Sequence, residues 1–283
     1  MKSVYPSFYP AFRCKASACR HTCCRGWEID IDPASESFYH KVSGALGEKL
    51  RASIKQEDGV ASFILNEDER CPFLQQDGLC ELILQLGEAS LCEICREHPR
   101  FYEQIGDTEL IGLGLSCEAV AALLLHEHAL SFQICYEDGV VSAADLNGVC
   151  HLLQIPLPPT LAEFRPAQAK RLLDRHYGLF YETEVMDPSW TAMLHASEKP
   201  CDDKPSAAER SYQPIFAYIL YRQLALSDSY DMETLSCYAE ISTALIIKMI
   251  ENGADPVRAL VSWSEEIEYS TQNVTYLLDR LSD

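Results

Sequence analysis

Residues 12–32, FRCKASACRHTCCRGWEIDID, place Cys14, Cys19, Cys23 and Cys24 in the spacing C-x4-C-x3-C-C. Four thiols this close are hard to account for by burial alone. A thiolate is a soft ligand, and clustered thiolates suit zinc or iron–sulfur clusters. The first half of the chain adds Cys71, Cys80, Cys92, Cys95 and Cys117. Buried thiols would not require the cations that surround the motif, namely Arg13, Lys15, Arg20, His21 and Arg25. Such neighbours favour thiolate and offset the negative charge of a thiolate-bound centre. The chain is therefore expected to organise itself around a cysteine-bound metal.

The metal reading fits a reducing compartment. Thirteen cysteines are an odd number for a disulfide framework. MKSVYPSFYP lacks the apolar core of an export signal. AVAALLL at 119–125 and ALII at 244–247 fall far short of a membrane span of roughly 20 residues. A cytoplasmic location is expected. The formal charge of −20 argues against nucleic-acid binding, which needs cationic surface, and against anionic membrane surfaces.

At 283 residues and 47% apolar content, the chain can bury a substantial core. Its fold class is expected to be mainly α. A cysteine-rich metal-binding region with short β pieces, residues 1–130, would precede a mainly helical region, residues 131–283, with one continuous domain as the alternative. The aromatic, Pro-punctuated stretch 1–13 reads as extended, and so do EIDID at 28–32 and ASFIL at 61–65. Asp32-Pro33 is a helix start, with a cap residue followed by Pro at the first helical position. Further short helices are expected near 45–55 and 80–86. In CPFLQQDGLC, the Asp77-Gly78 turn should bring Cys71 near Cys80. ELIGLGLSC at 109–117 reads as strand or tight loop, followed by a helix from Glu118 to about Leu130. FQICY and VVSA form a hairpin about Asp138-Gly139. QIPLPPT at 154–160 marks a boundary or loop. Helices are expected near 144–153, 160–177, 206–227, 231–252 and 256–281, the fourth with a stripe of Leu235, Tyr238, Ile241, Leu245 and Met249.

The cysteine spacings match neither a paired C-x2-C zinc ribbon nor the bacterial ferredoxin run. Neighbouring Cys23 and Cys24 diverge, which a polynuclear cluster tolerates better than a single zinc. Cys92-x2-Cys95 alone is a weak signal.

FRCKASACRHTCCRGWEIDID, CPFLQQDGLCELILQLGE, LCEICREHPR and LSCEAVAALLL together resemble flagellin lysine-N-methylase, within a cysteine-cluster family described as zinc- or iron-chelating. The resemblance covers most of the chain and weakens towards FAYILYRQL at 216–224. It maps the family pattern onto Cys14, Cys19, Cys23, Cys24, Cys71, Cys80, Cys95 and Cys117, and onto Gly26, Trp27, Pro99 and Arg100. It implies a 4Fe–4S cluster, with zinc as the alternative, and S-adenosylmethionine as methyl donor to surface lysines of flagellin. His98 stands where the family has Tyr, and Cys92 is additional. Cys135, Cys150, Cys201 and Cys237 fall outside the pattern and read as core or surface thiols.

The residues themselves support methyl transfer only in part. There is no G-x-G-x-x-G fingerprint, and Gly112-x-Gly114 reads as close packing. His126-Glu127-His128 lacks the spacing of a zinc-protease helix. A lysine amine must shed its proton before attacking a methyl group. Glu28, Asp30, Asp32, Glu97, His98 and Tyr102 lie near the motif as acceptors, each with a structural role as its alternative. The rival readings are a non-enzymatic metal or electron-transfer protein and a zinc-stabilised interaction module.

Overall fold

The computed structural model describes residues 2–198 and 212–282. In chain order the elements are β1 (Lys2–Pro6), β2 (Asp30–Ile31), α1 (Pro33–Lys41), α2 (Gly44–Ala52), β3 (Ile54–Glu57), β4 (Val60–Phe63), α3 (Glu81–Leu86), α4 (Glu93–Glu97), β5 (Arg100–Ile105), β6 (Thr108–Leu113), α5 (Glu118–His126), β7 (Phe132–Cys135) and β8 (Val141–Ala144). There follow α6 (Leu146–Leu152), α7 (Pro159–Ala162), α8 (Pro166–His176), α9 (Pro188–Ser197), α10 (Gln213–Gln223), α11 (Met232–Glu251), α12 (Pro256–Trp263) and α13 (Thr271–Ser282). Helix accounts for 53% and strand for 15%, as a mainly α chain requires.

The chain forms two compact units, and the division is not sequential. Residues 13–100 form one unit; residues 1–12 and 101–283 form the other. The sequence suggests a break near residue 130 instead. The reason lies in β1, which pairs in parallel with β6, Val4 opposite Leu110, and antiparallel with β7, Val4 opposite Ile134. The N-terminal strand thus belongs to the sheet β5-β6-β1-β7-β8 of the helical unit. Local patterning carries no trace of a partner about a hundred residues away.

In that unit α11 is the central helix. Leu235, Tyr238, Ile241, Leu245 and Met249 are all buried, as their spacing predicts. Helices α8, α10, α12 and α13 pack around α11. The β7–β8 hairpin turns at Gly139 (φ +82), with the Asp138 carboxylate accepting from Val140 N–H at 3.0 Å. Gly112 and Gly114 serve close packing. A Cβ on Gly112 would lie 2.2 Å from the Phe101 ring, and one on Gly114 would lie 2.3 Å from the Tyr269 hydroxyl.

Two long helices expected from periodicity are broken. The 160–177 segment divides at Pro166, which opens α8 after the extended Arg165. The 256–281 segment is interrupted by a π-helical turn over Ser264–Glu268. Helix α9 was not expected, although Asp187 caps it through Ser189 N–H at 2.8 Å and Pro188 opens it. The first residues of the helix expected at 206–227, and Cys201, lie outside the described residues.

The 13–100 unit is built on the sheet β2-β4-β3, with Ile31 opposite Ala61 and Gln56 opposite Ala61 across β4. Its core joins Ile29, Ile31, Tyr39, Leu50, Phe63, Phe73 and Leu82. Tyr39 is fully buried and donates its hydroxyl to the Ser90 carbonyl at 2.8 Å.

Candidate metal centre

The core of the 13–100 unit carries the sulfur. Cys71 and Cys92 are buried in it, and Cys24, Cys80 and Cys95 pack against it. Cys24 and Cys71 are brought alongside by backbone pairing. Cys71 N–H donates to the Cys24 carbonyl at 2.9 Å, and Arg25 pairs with Arg70 in an isolated bridge. The Asp77-Gly78 turn then folds Cys80 back. Gln75 N–H reaches the Leu79 carbonyl at 2.9 Å, and Leu74 bridges to Cys80. Cys80 and Cys92 occupy the N-cap positions of α3 and α4, with Cys95 three residues into the latter.

The five thiols interact electrostatically. Burial, with smaller contributions from Cys24 and Cys80, pushes the Cys71 thiol up to about 12. Burial likewise raises Cys80, with added repulsion from Cys24 and Cys92. Cys92 and Cys95 share a hydrogen bond that lowers the first and raises the second; Cys95 also feels Cys24 and Cys71. A hydrogen bond from Cys23 lowers Cys24 to about 7, against burial. None of the described cysteines is disulfide-bonded.

Backbone N–H groups already point at several of these sulfurs. Ala16 donates to Cys14 Sγ at 3.3 Å. Phe73 and Leu74 donate to Cys71, Leu82 and Ile83 to Cys80, and Cys95 N–H to Cys92. Such N–H···S bonds favour the thiolate. By its chemistry the donor set suits a thiophilic metal or an iron–sulfur cluster: soft ligands around one core, with backbone dipoles aimed at several of them. Among the described residues, no group of three or more His, Cys, Asp or Glu side chains stands in metal-holding geometry.

The structure distributes the sequence candidates unevenly. It brings together Cys24, Cys71, Cys80 and Cys95, and adds Cys92, which the sequence pattern leaves aside. The C-x2-C spacing of Cys92 and Cys95 was the available signal. Cys23 is exposed and tied to Cys24. Cys14 is exposed, while Cys19 is half-buried and lines a cleft beside the motif. Cys117 belongs to the helical unit, at the N-cap of α5. So do Cys135, Cys150 and Cys237; Cys150 is buried, and Cys135 Sγ lies 3.7 Å from the Tyr5 hydroxyl.

The proton-acceptor candidates separate more clearly. Asp32 is a helix cap. Burial alone would raise its carboxyl, but N–H donors from Ser35 and Glu93 outweigh this and hold it at about 2. Glu28 is exposed and paired with Lys55 at 2.7 Å. His98 differs, because its Nε2 is buried without a hydrogen-bond partner and burial lowers its pKa to about 4. Its ring lies 5.5 Å from that of Trp27, whose indole N–H donates to the Cys23 carbonyl. The imidazole is therefore neutral at physiological pH and sits beside the cysteine loop.

Comparison with known proteins gives a partial likeness. The chain is 28% identical to "Lysine-N-methylase" of Salmonella typhimurium over 133 residues, 43% of this chain and 32% of that protein. It is 29% identical over 135 residues to "Lysine-N-methylase" of Salmonella choleraesuis, with the same coverage. It is 26% identical over 133 residues to "Flagellar biosynthetic protein FliU" of Salmonella muenchen, 43% of this chain and 76% of that protein. The match covers only 32% of the length of the two lysine-N-methylases. Their names agree with the resemblance read from the motifs, while the match covers 43% of this chain rather than most of it. No family profile and no solved structure matches the chain.

Proposed function

We propose that this chain belongs to an S-adenosylmethionine-dependent protein-lysine N-methyltransferase, acts on flagellin in the cytoplasm, and carries a 4Fe–4S cluster on its cysteines. The observation that supports the cluster is that Cys24, Cys71, Cys80, Cys92 and Cys95 share one core, with backbone N–H groups donating to three of the sulfurs. The names of the relatives support the methylase activity, and the name FliU supports a flagellar substrate. No helix among the described residues is long and apolar enough to cross a membrane.

Cys71, Cys80, Cys92 and Cys95 would supply the inner ligands, and Cys24 is an alternative for one of them. Cys14 and Cys23 are exposed, Cys19 is half-buried, and Cys117 lies in the helical unit. Adenosylmethionine supplies an electrophilic methyl carbon when bound. The acceptor lysine must present an uncharged amine, because its lone pair forms the new N–C bond. Desolvation at the site favours that uncharged form. Burial disfavours the protonated form of His98, so its neutral imidazole is a weak acceptor for that proton and the ring serves the site by packing.

Anaerobic purification followed by iron, sulfide and zinc analysis tests the centre. Brown protein with matched iron and sulfide is expected. Colourless protein with stoichiometric zinc would overturn the iron–sulfur assignment and favour a structural module. Incubation with labelled adenosylmethionine and flagellin should label lysine; absence of both binding and labelling would remove the methyltransferase.

A further inference from the structure

A cleft of about 340 Å³ opens within the 13–100 unit, beside the cysteine motif. One wall is the short turn at Ala16–Ala18, and the facing wall is the Asp77-Gly78 turn. The two walls touch. Gly78 adopts φ +81, and a Cβ there would lie 3.2 Å from the Ser17 Cα, so this position requires glycine on two counts.

The lining is chemically specific. Arg20, Arg25, Arg70, Asp77 and Leu74 are among the residues that line it. Two of the arginines are positioned by the backbone: Arg25 Nε donates to the Asp68 carbonyl at 3.1 Å, and Arg70 Nη2 to the Gln75 carbonyl at 3.3 Å. Each holds its guanidinium with one edge occupied, leaving further donors for a ligand. Asp77 Oδ1 accepts from Leu79 N–H at 3.0 Å, which fixes that carboxylate at the rim. In a chain of net charge −20, three guanidinium groups around one small cleft run against the overall composition. Arginine is the side chain suited to planar recognition of a carboxylate.

We propose that this cleft binds the α-amino-carboxylate end of a small zwitterionic ligand. The arginines take the carboxylate, Asp77 takes the ammonium group, and Leu74 contacts the aliphatic stem. Under the activity proposed above, on which this assignment rests, that ligand end is the methionine portion of adenosylmethionine. The cleft suits an amino-acid moiety, and Cys19 on its lining puts that moiety at the edge of the sulfur motif. Three cations and one anion also disfavour a bare cation.

The test is calorimetric titration of the full anaerobically purified chain with adenosylmethionine, methionine, adenosine and inorganic phosphate. Metal and sulfide content are measured on every sample. Arg25→Gln and Arg70→Gln are expected to weaken adenosylmethionine and methionine by roughly tenfold or more, as loss of a charge-assisted hydrogen bond does. Asp77→Asn should weaken both ligands without affecting phosphate. Should an arginine change also lower metal content, Gln76→Trp, at an exposed lining position, fills the cleft from its rim and should abolish binding with metal retained. Unchanged adenosylmethionine affinity in Arg70→Gln and Gln76→Trp, with wild-type metal content, overturns the cleft assignment while leaving the methyltransferase reading standing. Methionine binding that the variants weaken, in a chain that does not take adenosylmethionine, keeps the cleft assignment and removes the methyltransferase. Phosphate binding as tight as methionine, and equally lost in the arginine variants, overturns the zwitterion in favour of a simple anion site.

Discussion

The Asp32 carboxylate ties the start of α1 to the start of α4: Oδ1 accepts from Ser35 N–H at 2.9 Å, and Oδ2 accepts from Glu93 N–H at 2.8 Å. Glu93 directly follows Cys92, so a helix cap also anchors the loop that presents one of the converging thiols. Asp32→Ala is expected to cost about 0.5–2 kcal/mol from the lost cap, with a further loss of metal content from the loosened Cys92 loop. The carboxyl sits at about 2 in the fold, against an ordinary value of about 3.9. A depressed carboxyl contributes stability above its unfolded value and loses it as pH falls through the folded one. The thermal-stability gap between wild type and Asp32→Ala should thus close between about pH 4 and pH 2. Because the group lies near water, the effect should be smaller than the full shift implies. A gap unchanged down to pH 2 would show that the carboxylate plays no such part.

Cys92 separates the structural reading from the sequence pattern. It is fully buried, hydrogen-bonded to Cys95, and close enough to raise Cys80. Cys92→Ser is expected to lower bound metal affinity roughly tenfold or more, since even outer-shell changes reach that size. Cys150→Ser and Cys237→Ser, in the helical unit, should leave metal content untouched. Elemental analysis of the three variants decides the matter: a metal-replete Cys92→Ser protein would make Cys92 a bystander.

What could be read from the residues follows the range of the interaction. Asp32-Pro33 and Asp255-Pro256 announce their helices because cap and proline act within one turn, and both carboxylates accept the expected N–H. Asp187-Pro188 carries the same signal, yet the residues that follow it do not predict α9. Only Trp190, Leu194 and Ser197 of its ten residues are buried, so no long apolar stripe follows the cap. The Asp77-Gly78 turn placed Cys71 near Cys80 for a similarly local reason. The parallel pairing of Val4 with Leu110 and the anchoring of Cys92 by Asp32 depend on distant segments meeting. Neither leaves a periodicity to detect. The arginine cleft was half legible: Arg20 and Arg25 stood out beside the cysteines, but Arg70 and Asp77 join them only through the Arg25–Arg70 bridge and the turn that follows.

Gly112 tests the packing role of the glycine pair. A Cβ there would meet the Phe101 ring at 2.2 Å and the Tyr218 hydroxyl at 2.9 Å, and that hydroxyl also holds Leu113 N–H at 2.7 Å. Gly112→Ala should destabilise the helical unit by about 1–3 kcal/mol through overpacking. Adding Phe101→Leu removes the nearest clash, so the double variant should lose less than the sum of the two single losses. Denaturant titration followed by far-UV circular dichroism gives the comparison; simple additivity would show that the ring is not what excludes a side chain.

Arg222 and Glu268 form a buried pair that a similar logic makes measurable. Arg222 Nε stands 2.9 Å from Glu268 Oε1, with the carboxylate wholly inaccessible. The guanidinium lies 4.1 Å from the centre of the Phe101 ring. Glu268 lies at the end of the π-helical turn, where Oε2 accepts from Ser264 and from Leu115 N–H at 3.3 Å. Arg222 Nη1 has no hydrogen-bond partner in this interior. Removing one partner leaves a buried charge uncompensated, so Glu268→Leu alone should cost about 3–5 kcal/mol. Replacing both, as Arg222→Met with Glu268→Leu, should recover most of that loss, because desolvating two charges offsets much of their attraction. If the double variant proved as unstable as Glu268→Leu, the loss would come instead from the severed Ser264 and Leu115 contacts, and the carboxylate would act as a clamp on the π-helical turn rather than as a counter-ion.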